Sequence, residues 1–204
     1  WSYGERYLPN ENVKDGVWVQ SELTENLGLQ TGDKILTVDG QKVKKFRSLT
    51  LEFINGNTYQ IERDGVVLDK EIPEDFISQL MDRDKDAGLI LAPRQPFVIA
   101  GISEDSPNID ADLEAKDIVI AINGSTIKYY DEVQNKLDTY KNQDISITVK
   151  RGNETKDIPV KITNEGKLGV GILQLPLTDL EKLGYYDLAD FKYSFLEAIP
   201  AGWN

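Results

Sequence analysis

The sequence predicts an α+β protein of two similar domains, each a small, partly open β-barrel capped by one helix, with a short helical extension at the C-terminal end. Three observations carry this prediction. The stretch GDKILTVDGQKV at residues 32–43 returns as KDIVIAINGSTI at residues 116–127. The offset between the two holds far to either side of them. In each copy, short strands also surround a single helix at a fixed place.

Gly40 and Gly124 stand 84 positions apart (124 − 40), and the same spacing joins Leu29 to Leu113, Asp33 to Asp117, Gly4 to Gly88 and Pro9 to Pro93. It also carries Phe46, Leu49 and Phe53 onto Tyr130, Val133 and Leu137, so both copies show an i, i+3, i+7 apolar stripe, the spacing of one helix face. After that helix the second copy is four residues longer, in the polar stretch DTYKNQD, and the register resumes with Arg63 opposite Arg151.

Taken in order, each copy opens with a glycine-led extended segment, residues 4–9 and then 88–93. A β-rich segment follows (16–20; 97–102), then a polar connection and a core strand (34–38; 118–122). The core strand ends in an Asx-Gly pair, Asp39-Gly40 or Asn123-Gly124, a hairpin signal in which positive φ is nearly free for glycine. The helix comes next, and then two strands (58–63 and 66–72; 145–150 and 156–162). Between the copies, PEDFISQLMDRDKDA starts with a proline and two acids, which suits a helix N-terminus, and then turns highly charged. After the second copy, LTDLEKLG carries a cap at Thr178 and a closing glycine at Gly184. The expected organisation is a first domain at 1–73, a charged linker with a short helix at 74–86, a second domain at 87–173 and a helical extension at 174–204 that leads toward a membrane segment.

Composition removes whole classes of function. A net charge of −12, from 35 acidic against 23 basic residues, repels a phosphate backbone, so nucleic acid is not an expected partner. The chain has no cysteine and no histidine, which excludes disulfides, thiolate metal sites, a Ser-His-Asp triad and an HExxH zinc motif. DRDKDAG at 82–88 has acids at alternating positions, but Ala87 and Pro93 stand where a calcium loop needs glycine and glutamate. NGS at Asn123 and NET at Asn153 match the glycosylation triplet, and the first reads as a hairpin turn. The last segment, FKYSFLEAIPAGWN, is rich in aromatic and aliphatic residues and is expected to pack on the second domain or to lie at a bilayer interface.

GLQTGDKILTVDGQKV from Gly28, and ADLEAKDIVIAINGSTI from Ala111, resemble the signature of the PDZ domain in its circularly permuted bacterial form; the second copy departs at Lys116, where the pattern has glycine. Two such domains in tandem, followed by SFLEAIPAG at 194–202, resemble the extracytoplasmic insert of the RseP-type site-2 proteases, which are intramembrane zinc metalloproteases. The resemblance implies that catalysis and zinc belong to a membrane domain of a longer parent, so this chain holds no catalytic residue, no metal ligand and no cofactor. It implies a place on the periplasmic face of the bacterial inner membrane. It also implies a role in regulated intramembrane proteolysis: gating substrates of the trimmed anti-sigma-factor type and binding their new C-termini. The partners would be C-terminal or extended peptide segments of membrane-protein substrates and the parent's own transmembrane domain. A stand-alone periplasmic PDZ scaffold or chaperone-like peptide binder is the other reading.

In a PDZ groove an incoming peptide adds as a strand to a sheet edge beside the helix. The resemblance places such a groove at Gly88, Leu89, Ile90 and Leu91 with Val133 and Leu137 in the second domain, and at Gly4, Glu5, Arg6 and Tyr7 with Leu49 and Phe53 in the first. Glu5 would face an incoming carboxylate, which favours the second. The same apolar helix residues have to cover the core in any case. Arg94, just past Pro93, reads either as an added attraction for an anionic terminus or as solvated surface.

Overall fold

The computed structural model describes residues 4–82 and 91–192. Residues 94–175 form one compact unit, and the chain through Pro93 together with the chain from Pro176 onward forms the other.

The first unit begins with β1 (Gly4–Tyr7), β2 (Val17–Trp18) and α1 (Glu22–Asn26). It continues through β3 (Lys34–Val38), β4 (Gln41–Lys42), α2 (Leu49–Asn55), β5 (Thr58–Arg63) and β6 (Val66–Glu71) to α3 (Phe76–Met81) and β7 (Ala92–Pro93). Four strands make an antiparallel sheet in the order β4-β3-β5-β6. Its tight turns use Asp39-Gly40 and Asp64-Gly65, all four residues at positive φ, the geometry whose twist suits a two-residue hairpin. Helix α2 covers the sheet with Leu49 and Phe53, both essentially buried, and Phe53 meets Tyr59 edge-on at 4.9 Å. Phe76 of α3 lies 6.4 Å from Phe53 and is also buried, so α3 is part of this core and not a helix within a solvated linker.

Gly16 sets the crossing of β2 over the turn that precedes β3. Here the Val17 N–H donates to the Asp33 carbonyl and the Gly32 N–H donates to the Val17 carbonyl, both at 2.9 Å. A Cβ on Gly16 would fall 2.1 Å from the Gly32 oxygen, and its φ is +76°, so only glycine fits. Strand β7 then pairs with β2, Pro93 opposite Val17 and Ala92 opposite Trp18.

The second unit runs through β8 (Phe97–Ile102), β9 (Ile118–Ile122), β10 (Ser125–Thr126), α4 (Val133–Asp138), β11 (Asp144–Arg151), β12 (Glu154–Lys161) and β13 (Val170–Ile172). The strand order is β12-β11-β9-β8-β13, with β10 folded back on β9 through the Asn123-Gly124 turn. Alternation along β11 turns Ile145, Ile147 and Val149 inward, and they share one core with Ile99, Val119, Ile158 and Ile162. Helix α4 closes that core with Val133 and Leu137.

After the second unit the chain returns to the first. Helix α5 (Leu177–Lys182) and β14 (Ala189–Lys192) follow, and β14 pairs antiparallel with β1, Gly4 opposite Lys192 and Tyr7 opposite Ala189. The extension is therefore neither purely helical nor a sequel to the second unit. Buried Leu180 and Tyr186 anchor it, and Arg6 reaches Glu181 at 2.7 Å. The SFLEAIPAG segment lies outside the described residues.

The two units share an internal device. In the first, Arg63 donates from Nε and Nη2 to the two oxygens of buried Asp33, each at 2.7 Å; in the second, Arg151 does the same to buried Asp117 at the same distances. Each carboxylate also accepts a backbone N–H three residues upstream, from Gln30 and Glu114. Burial pushes the Asp117 carboxyl up, but the Arg151 bonds and the Glu114 N–H outweigh it and hold the group below its ordinary value.

A free sheet edge beside a helix in the second unit

Strand β13 ends the sheet of the second unit: β8 occupies one side, and the other carries no strand among the described residues. The loop leading into it, Lys167 to Gly169, has an ordered pattern of backbone bonding. The Lys167 carbonyl accepts the Thr163 N–H at 3.0 Å, the Leu168 carbonyl accepts the Asn108 side-chain amide at 2.8 Å, and the Gly169 carbonyl accepts the Ser103 N–H at 3.1 Å. Every peptide bond among the described residues is trans, so the C=O and N–H of one peptide unit point opposite ways. Three carbonyls drawn toward the protein therefore turn the following N–H groups away from it. Among the described residues, neither the Leu168 N–H nor the Gly169 N–H has an acceptor.

Gly169 has φ +74°, and a Cβ there would meet the Ser106 hydroxyl at 2.4 Å, so the turn depends on glycine. The loop abuts the end of α4, since a Cβ on Gly166 would lie 2.5 Å from Oδ1 of Asp138. Leu168, Val133 and Leu137 belong to one core cluster, each about as buried as the next, with Val170 packed against it. Outward N–H donors thus stand at the head of an unpaired strand edge, next to a helix whose Val133 and Leu137 are turned into the core.

The sequence-predicted groove residues that are described divide between the two units. Gly88, Leu89 and Ile90 lie outside the described residues. Leu91 is buried and belongs, with β7, to the first unit, whereas Val133 and Leu137 belong to the second; pairing of β7 with β2 is what separates them. Gly4 and Tyr7 stand on β1, whose partner is β14, and the Tyr7 ring carries the Lys45 ammonium at 5.1 Å. Leu49 and Phe53 are core residues of the first unit. Arg94 is neither solvated nor free to attract a terminus: it makes a bidentate pair with Asp131 at 2.9 and 2.6 Å and stacks over Tyr129 at 4.2 Å. The sequence reading gave no site role to KLGVGI at 167–172, where two glycines interrupt an aliphatic run as Gly88 precedes Leu89-Ile90-Leu91.

Among the described residues there is no group of three or more carboxylate, histidine or cysteine side chains placed to hold a metal ion, and no helix is long and apolar enough to cross a membrane.

A mixed sheet-and-helix unit with an open strand edge defines an α+β module. Residues 79–162 match the family model described as the PDZ domain, so the chain contains a PDZ domain. The match and the structural unit share residues 94–162; the match starts upstream of Arg94 and stops before Gly169. Among solved structures, the PDZ domain of an SdrC-like protein from Listeria monocytogenes is similar at 21% identity, covering 44% of this chain and 95% of that one with a TM-score of 0.34.

Proposed function

We propose that the second unit binds an extended polypeptide by strand addition to β13, with the peptide's terminal carboxylate held by the Leu168 and Gly169 N–H groups and its side chains packed against α4. The observation that carries this is the pair of outward N–H donors at the head of an unpaired strand edge. Charge-assisted bonds from such donors contribute on the order of 1.5–3 kcal/mol each, and the chain's negative charge is screened beyond about 8 Å. We further propose that both units are PDZ copies in permuted order, the groove strand coming last. In support, β7 follows the β5–β6 hairpin and pairs with β2, as β13 follows β11–β12 and pairs with β8. The test is calorimetric titration of the whole chain with peptides drawn from a random C-terminal decapeptide library. The free acid should bind at least about tenfold tighter than the amide of the same peptide; equal affinity would overturn carboxylate reading.

The finer assignment, an extracytoplasmic gate of a site-2 protease, rests on the tandem repeat and the SFLEAIPAG segment. It requires hydrophobic spans and an HExxH motif elsewhere in the same polypeptide. Sequencing the gene beyond both ends decides it, and an open reading frame without them would defeat it.

A further inference from the structure

We infer that Asn108 is the positioning residue of the β13 loop, holding the Leu168 carbonyl inward so that the Gly169 N–H faces outward; its role in binding rests on the function proposed above. Asn108 is 3% exposed and both of its amide donors are used. Its oxygen accepts the Lys161 N–H at 2.7 Å, and its nitrogen donates to the carbonyls of Lys161 at 2.9 Å and Leu168 at 2.8 Å. One buried side chain thus fastens the loop to the end of β12, a strand fixed in the sheet. Ser106 accepts the Asn108 N–H at 3.1 Å, and its own hydroxyl reaches the same Leu168 carbonyl at a longer 3.5 Å.

The position is not simply one that must be polar. The residue 84 places earlier (108 − 24), Thr24, is equally buried, yet it spends its hydroxyl on Ser21 in the cap of α1. The second unit uses the same place to fasten a loop. An amide is the side chain suited to this, since it supplies an acceptor for one backbone N–H and two donors for backbone carbonyls at once. Without those donors the Leu168 carbonyl keeps only the long Ser106 hydroxyl contact at 3.5 Å, so the peptide unit is held weakly enough to rotate toward water, and the Gly169 N–H turns with it.

Asn108→Asp isolates the effect, because it keeps the acceptor for the Lys161 N–H and removes both donors. Asn108→Ala serves as the second variant if the first fails to fold. Amide exchange and ¹⁵N relaxation on the whole chain should show Leu168 and Gly169 becoming mobile while Ile147 and Val149 stay protected. In the titration, preference for free acid over amide should fall from about tenfold to near parity, with affinity for the amide unchanged. A merely structural residue would weaken both peptides together. An ordered loop, or a retained preference, in a folded variant overturns the inference. If the unchanged chain fails to distinguish acid from amide, the proposed function falls, and the loop measurement still decides the role of Asn108.

Discussion

Lys116 sits at φ +76° in the place where the first unit has Gly32, at φ +99°. A side chain in this left-handed conformation costs roughly 1–2 kcal/mol, and the bond of Lys116 to the Ile99 carbonyl comes from its backbone N–H, which glycine would keep. Lys116→Gly should raise the stability of the second unit by about 1 kcal/mol once the added freedom of the unfolded glycine is counted, readable as a shift in denaturant midpoint. Asp117, one residue on, gives a pH signature. Its carboxyl titrates lower folded than unfolded, so its stabilisation is complete above the ordinary carboxylate value near 4 and is lost as pH falls through the lowered one. Asp117→Asn should therefore lower the thermal midpoint at neutral pH and flatten its decline on acidification. In the first unit, burial and the nearby Asp33 charge push the Tyr59 hydroxyl up to about 12, and it donates to the Leu27 carbonyl as a neutral group throughout the physiological range.

At the level of elements, the Gly16 crossing is the least forgiving point in the first unit. Gly16→Ala meets backbone rather than a movable side chain, so it should cost about 4 kcal/mol or more, and circular dichroism should show loss of the first unit's transition. Much of this architecture was legible in the sequence. Strands β3, β5, β8 and β9 fall on the expected residues, and the Asx-Gly pairs form the expected hairpins, because alternation and turn chemistry act over a few neighbouring positions. The Arg63–Arg151 correspondence has a physical cause in the two carboxylate pairs, which force the strand register to recover after a four-residue insertion. The partners of the short strands β7 and β13 were not legible. A short aliphatic run such as Leu89–Leu91 or Val170–Ile172 pairs equally well before or after the rest of its unit. The choice is made by contacts distant in sequence, β7 on β2 and β13 on β8, which no local pattern encodes.

For the molecule as a whole, the first unit is assembled from two stretches of chain separated by the entire second unit. Leu180 has no exposed surface, so Leu180→Ala should cost the first unit about 2–5 kcal/mol while the melting of the second stays put, which differential scanning calorimetry of the two transitions would show. The exposed pairs of the same extension, Arg6–Asp190 and Lys14–Asp187, should contribute at most about 1 kcal/mol each and fade in salt. The β1–β14 ribbon also dictates an order of events on the ribosome. Gly4 and Lys192 are 188 residues apart (192 − 4), and β1 must wait for its strand partner until all the chain between them has emerged. By then the second unit is complete at residue 175 and free to collapse on its own local contacts. Nascent chains stalled just short of β14 should therefore carry one finished unit and one still ajar.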